Sequence, residues 1–265
     1  MNNISIHKQY IKKRVILWFT AALIFSCGTD NDDTVSQQTN VTFNFNHKWD
    51  DTNVTNENFN TIAFTNENGD ALSITKLRYL ISKITFTGSA GEDLVVSNYH
   101  LIDVTNATNL SIMPTVTIPQ GQYSNVKFTF GFNNSDNYNQ NYPDLNSASW
   151  NVPDALGGGY HYMQLEGKFI NNMDVETGYA YHAIRAVNTS GETPNFQDTF
   201  FEVNLGTVII AANSILNIEM NIAEWFKNPN TWDLNILNTM LMPNFDAQVQ
   251  MFQNGQRVFR LQSVQ

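Results

Sequence analysis

From Asn40 onward, apolar residues return at every second position, and that period limits what this chain can build. Val41, Phe43 and Phe45 alternate with Thr42, Asn44 and Asn46. Val126, Phe128, Phe130 and Phe132 alternate with Lys127 and Thr129. Phe201, Val203 and Leu205 alternate with Glu202 and Asn204, and Leu216, Ile218, Met220 and Ile222 with Asn217, Glu219 and Asn221. A period of two is that of a half-buried strand in an antiparallel sheet. Turn-forming stretches separate the runs: TNENGD at 65–70, GSAGED at 88–93, PQGQY at 119–123 and NTSGET at 188–193. Strands at short spacing without intervening helices predict a mainly β chain, an antiparallel β-sandwich of immunoglobulin-like or Greek-key type.

The C-terminal part carries a different period. Leu234, Leu237, Met240 and Leu241 follow Thr231 at helical spacing, and 246–256 reads as a second helix ending at Gly255. Short C-terminal helices are therefore expected, closed by an edge strand through Val258, Phe259 and Leu261. The stretch 132–159 has no usable periodicity, and a loop of that length in a compact domain usually serves a function or is disordered.

The N-terminus reads as processing signal rather than fold. Lys8, Lys12, Lys13 and Arg14 precede the apolar run from Val15 to Phe25, then Ser26 and Cys27. A basic region, a short apolar core and a small residue before the cut describe a secretory signal peptide over 1–26. The run is too short to span a bilayer. Cys27 is the only cysteine of the 265 residues, and Ile24-Phe25-Ser26-Cys27 resembles a bacterial lipobox, which makes Cys27 the expected lipidation site. Residues 27–39 are polar and acidic, a flexible tether. An acidic run after a lipidated cysteine also resembles the surface-export signal of Bacteroidetes-type lipoproteins. The expectation is an outer-membrane lipoprotein of the cell envelope, periplasmic or surface-exposed, with residues 40–265 as one domain.

Cleavage after Ser26 removes four of the 14 basic residues and none of the 24 acidic ones, moving the formal charge from −10 to −14. That balance argues against nucleic acid, whose phosphates need a basic patch. With one cysteine there is no disulfide, so the core must hold the domain by itself.

Four histidines survive processing: His47, His100, His161 and His182. Continuing the alternation puts His47 and Trp49 on the Phe face of their strand. The same rule groups His161 with Met163 and Leu165, and His182 with Ala180 and Ile184. Taken singly, each is more often a satisfied core histidine than a ligand. Three on the less polar faces raise the question of a shared metal, because each neutral ring needs partners for both nitrogens. CxxC and HExxH are absent, which leaves no structural zinc of the usual spacing. Imidazole with a thioether such as Met163 suits copper. A hydrolase using His161 with Glu166 or Asp154 is disfavoured, because alternation separates His161 from Glu166 and no GxSxG nucleophile motif exists. No enzymatic activity is expected.

Six segments occur in a telling order: FNHKW at 45–49, KLRYLISKITFTG at 76–88, YHLIDV at 99–104, NVKFTFGF at 125–132, a Trp-bearing loop, and GYHYMQLEGKF at 159–169. In this order they resemble the MbnP-like family, periplasmic or surface lipoproteins related to the copper-binding protein of methanobactin operons. The resemblance implies a β-sandwich and, in some members, copper binding. In some members it also implies a tryptophan oxidised to kynurenine by a dihaem peroxidase-like partner. It assigns His47 and His182 as the foremost copper ligands; His161 or Met163, which belong to this chain's own pattern rather than the family's, is expected to complete the site at one end of the sandwich. Removing His47 is then expected to abolish copper uptake. Trp150 and Trp49 are both candidates for the modified tryptophan. The alternative is a metal-free surface lipoprotein that binds glycan or protein through Tyr138, Tyr142, Trp150 and Tyr160. An exposed row of those rings would favour glycan, and burial over histidines would favour metal.

Overall fold

The sequence alternation becomes two sheets packed face to face. The computed structural model describes residues 36–265, which form one compact unit. Cys27, the expected signal peptide and most of the expected tether lie outside the described residues. Nine longer strands carry the fold: β1 (Thr42–Trp49), β2 (Lys76–Thr87), β3 (Asp93–Asp103), β4 (Asn125–Phe130), β5 (Met163–Ile170), β6 (Glu176–Ala183), β7 (Phe201–Asn204), β8 (Ile215–Asn221) and β9 (Phe259–Val264). The larger, eight-stranded sheet contains β7, β4, β2 and β5 in that order, then two short strands at Ala71–Leu72 and Phe64–Thr65, with β6 on β5 and β3 on β2. The smaller, five-stranded sheet runs β9, β8, β1 and Thr52–Asn53, with Ser111–Ile112 also on β1.

Among the described residues all strand pairings are antiparallel except one: β8 runs parallel to β1, with Ile218 opposite Phe45 and Met220 opposite His47. The chain is thus a mainly β sandwich, as its alternation predicts, with a single parallel seam. The inner faces meet through edge-on aromatic pairs, Phe43 on Phe86 and Phe45 on both Tyr79 and Phe128, at centroid distances of 6.0, 6.5 and 6.0 Å. Such pairs add specific geometry to the hydrophobic burial that drives the sheets together.

Loop 132–160 is not loose. Its helix α1 (Pro143–Ser147) and the turn that follows lie across the outer face of the larger sheet. Leu145, Trp150 and Tyr160 close there over Leu80 and Phe132 as a second, smaller core. The outer face of β2 and β5 is covered at this point, and the site described below is built under this cover.

At the C-terminus one expected helix forms and one does not. Helix α2 (Phe245–Gly255) is capped by the Asn244 side chain, which accepts the Ala247 N–H. The stretch 231–242 is a chain of turns instead. The Leu234 N–H donates to the buried carboxylate of Asp70, which also receives the amide of Asn235. The Ala180 N–H donates to Asn238 O at 2.7 Å. The bond to Asn238 O captures a carbonyl that a helix would pair internally, and Asp70 anchors the start of the segment, so tertiary context overrides the helical spacing. No helix among the described residues is long and apolar enough to cross a membrane.

Candidate functional site

Strand register decides which side chains share the outer face of the larger sheet. Arg78 of β2 lies opposite Gln164 of β5, and Lys76 opposite Glu166. On the other side of β5, Gln164 lies opposite His182 of β6. Alternation therefore puts Lys76, Arg78, Gln164, Glu166 and His182 on one face. Tyr79, Met163, Leu165 and Tyr181 point to the core between the sheets.

His161 joins this outer group against the simple alternation. Tyr162 sits in a bend just before β5, and both Tyr162 and Met163 are buried in the inter-sheet core. Two consecutive inward residues cost one step of the alternation, so His161 falls on the face of Glu166 rather than that of Met163 and Leu165. The expected separation of His161 from Glu166 is thereby overturned. The expected grouping of His182 with the less polar face is overturned too. Tyr179, Tyr181 and Ala183 are the inward residues of β6, and His182 is half-buried on the outside.

The rings of His161 and His182 stand edge to face, 5.3 Å between centroids at 83°. The protein holds one nitrogen of each ring. His161 Nδ1 is 2.9 Å from Trp150 O, and because a carbonyl only accepts, Nδ1 carries the proton and Nε2 presents a lone pair. Burial, opposed in part by that bond to the Trp150 backbone, lowers the His161 pKa to about 4, so the ring is neutral at physiological pH. His182 Nε2 lies 2.9 Å from Glu166 Oε1, which leaves Nδ1 for another partner. The hydrogen bond from His182, reinforced by Lys76 Nζ at 2.8 Å, holds the Glu166 pKa down to about 2 against the opposing effect of burial.

Trp150 closes the site. It is fully buried, its ring centroid 5.7 Å from that of His161, and the Arg78 guanidinium lies 5.0 Å from the centre of its ring. Arg78 is itself held by Gln164 Oε1 and by Ala148 O at 3.3 Å. Among the described residues, six buried side-chain polar atoms lack a hydrogen-bond partner, and three of them meet here: His161 Nε2, Trp150 Nε1 and Arg78 Nε. Two of the others, Glu219 Oε2 and Asp136 Oδ2, face lysine ammonium groups at 3.1 and 3.2 Å. Native proteins rarely leave such groups unpaired, and a cluster of three calls for a ligand, an ion or a water.

The remaining candidates lie elsewhere. His47 faces inward from β1, with Nε2 3.0 Å from the Tyr79 hydroxyl, and burial pushes its pKa down to about 3. Tyr79 is on the inner face of β2, whereas its neighbour Arg78 is on the outer, so the sheet itself stands between His47 and the His161–His182 pair. Met163 is on the His47 side of that sheet. His47, His161, His182 and Met163 are therefore not one cluster at the end of the sandwich. Trp49 stacks on Phe64 at 5.0 Å and donates Nε1–H to Thr65 O at 3.1 Å, a satisfied packing residue. His100 is bonded to Ser97 Oγ on β3, away from the pair. Of the loop aromatics, Trp150 and Tyr160 are fully buried and only Tyr138 is largely exposed, so they make no open row. Among the described residues no group of three or more His, Cys, Asp or Glu side chains is arranged to hold a metal ion.

Sequence reasoning did not single out Lys76, Arg78 or Gln164. The one available signal was the charge alternation in Lys76-Leu77-Arg78, which marks an outer strand face without saying what covers it.

Comparison with known proteins bears on the fold and its lineage. The family model of MbnP matches residues 38–243, well over half of the chain. The chain belongs to the MbnP family. The solved structure of MbnP from Methylosinus trichosporium aligns with a TM-score of 0.52 at 13% sequence identity, over 74% of this chain and 81% of that one. At that identity the likeness speaks for a shared fold. No curated protein sequence matches the chain significantly.

Proposed function

We propose that this MbnP-family chain is a copper-binding lipoprotein of the cell envelope, and that His161 and His182 hold the metal on the outer face of the larger sheet. The observation that carries the reading is the buried, unpartnered lone pair of His161 Nε2 beside a second imidazole that has a free nitrogen. Two imidazole nitrogen donors under an apolar cover suit Cu(I), which accepts few, soft ligands, and fall short of the four that a structural zinc site requires. The Glu166 carboxylate behind His182 plays the usual outer part of a carboxylate–histidine–metal arrangement: it orients the ring and raises its basicity. Bound copper would supply one-electron redox chemistry or act simply as cargo. The chain's own residues orient the two rings, exclude water through Trp150 and Leu145, and hold the Nδ1 proton of His161 on a backbone carbonyl.

Within this reading Trp150 is the tryptophan that a dihaem peroxidase-like partner would convert to kynurenine, because it borders His161 while Trp49 is spent on packing. Cys27 is the lipid anchor to the outer membrane, and 27–39 is the tether that spaces the domain from the membrane, on its periplasmic or surface side. The protein acts by binding, without turnover of its own, and nucleic acid is not a partner.

Copper stoichiometry and Cu(I) competition titrations, with intact mass of protein from its native host, test this. The wild type is expected to take one equivalent. His161→Ala should abolish tight uptake and His182→Ala weaken it, while His47→Ala, behind the sheet, should leave uptake intact. Full uptake by His161→Ala would refute the assignment. A mass gain located on Trp150 would support the kynurenine step, and an unmodified Trp150 in copper-loaded native protein would remove it.

A further inference from the structure

A groove lies on the opposite side of the larger sheet from the histidine pair, at the edge of β1. Short strands cover that edge at both ends but leave its middle open: the Phe45 N–H reaches Leu110 O at 2.8 Å, and the Val54 N–H reaches His47 O at 2.9 Å. Between these two bonds opens a groove of about 550 Å³, within the ~300–1,000 Å³ usual for small-molecule sites. Val54, Val104 and Leu110 give it hydrocarbon, and Asn46, Asn53 and Gln262 give it carboxamides.

His47 also lines this groove. It is only 5% exposed, its Nε2 is committed to the Tyr79 hydroxyl, and its Nδ1 has no hydrogen-bond partner among the described residues. Unlike His161 Nε2, this nitrogen is not among the sealed, unpartnered atoms, so it retains access from the groove. A nearly buried imidazole with one free nitrogen at the wall of an apolar groove is a polar contact without an occupant.

The charges at the groove exclude ionic ligands. The Lys48 ammonium is paired with Glu219 at 3.1 Å, and His47 is neutral. Glu57 at the rim is solvent-exposed, too well hydrated to hold a cation strongly. An extended peptide is also a poor fit, because the two bracketing hydrogen bonds sit two residues apart and leave no run of free ladder positions. The lining that remains is carboxamides and the Thr55 hydroxyl over a hydrocarbon floor; Asn46 donates to Gln262 Oε1 at 3.4 Å, which leaves the Asn46 oxygen, the Gln262 amide and Asn53 to offer acceptors and donors. Its complement is an uncharged molecule with hydroxyl groups along its edge and C–H bonds on its face.

The geometry points to a carbohydrate site in this groove, taking one or two neutral sugar rings, with His47 Nδ1 and Asn53 among its hydrogen-bonding groups. It is independent of the copper reading, since it uses neither His161 nor His182.

The test is nuclear magnetic resonance of the protein with ¹⁵N-labelled histidine, titrated with methyl α-D-glucopyranoside, methyl β-D-galactopyranoside and N-acetyl-D-glucosamine. At least one sugar is expected to shift the His47 ring nitrogens saturably, with a Kd on the order of 1–10 mM, and to leave the His161 signals unmoved. Asn53 is exposed, so its variants should fold. Asn53→Ala should weaken binding about 2- to 10-fold, the equivalent of one hydrogen bond, and Asn53→Trp should block the groove. Absence of a saturable His47 shift with all three sugars overturns the inference, as does a shift that survives Asn53→Trp unchanged.

Discussion

Replacing His47 by Gln should remove much of the acid sensitivity of this domain. The glutamine carboxamide would keep a hydrogen-bonding group toward Tyr79 but could not titrate. In the folded protein burial holds the His47 pKa at about 3, against 6.5 for the exposed ring. Above pH 6.5 the ring is neutral in both states and contributes no pH dependence. As pH falls below 6.5 the unfolded chain takes up the proton and the folded ring does not. Stability is therefore lost progressively from pH 6.5 down to about 3. At pH 5 the unfolded ring sits about 1.5 units below its pKa, and at ~1.4 kcal/mol per unit His47 alone removes about 2 kcal/mol relative to pH 7.5. Urea unfolding of metal-free protein, followed by tryptophan fluorescence at pH 7.5 and 5.0, measures this. Every other titrating group contributes alike to wild type and variant, so the difference between their two pH responses isolates His47. The wild type should lose about 2 kcal/mol more than His47→Gln over this interval, with equal denaturant slopes. Equal losses would show that burial against Tyr79 does not hold His47 neutral, and would refute the reasoning.

Three further outcomes follow from individual contacts. A Cβ added to Gly167 would lie 1.9 Å from the Ser73 backbone oxygen, which cannot move aside like a side-chain tip, so Gly167→Ala should cost about 3 kcal/mol in urea unfolding. Asp70→Ala strips the Leu234 N–H and the Asn68 and Asn235 amides of their acceptor and leaves the Asn66 amide only Trp232 O. It should cost about 3 kcal/mol and free the 232–241 segment, read as faster amide exchange there than in β2. Glu166→Gln should weaken Cu(I) binding about 10- to 100-fold by competition titration; unaltered affinity would dissociate Glu166 from the proposed site.

The sequence by itself determined the strands and their inner faces. Phe43, Phe45, Phe128, Phe130, Leu216 and Ile218 are buried where their alternation put them, because a two-residue period is a local property and burial of one face is what drives a sheet to pack. The order of segments along the chain also pointed to the MbnP family, and composition alone opposed a nucleic-acid role. Which histidines meet was decided by the tertiary structure. Alternation tells which face a residue takes on a regular strand, but not that Tyr162 would bend and carry His161 across to the face of Glu166. Nor does it tell that the loop ending at Tyr160 would bring Trp150 over that face. Pairing partners from distant parts of the chain set the rest. β1 and β2 placed His47 on Tyr79 across the core, while β5 and β6 placed His182 on Glu166 outside it. The same kind of long-range hydrogen bond, at Asp70 and Ala180, turned a helix-spaced C-terminal segment into turns. Face is written in neighbours along the chain; proximity is written in register and loop closure, and these exist only once the sheets have formed.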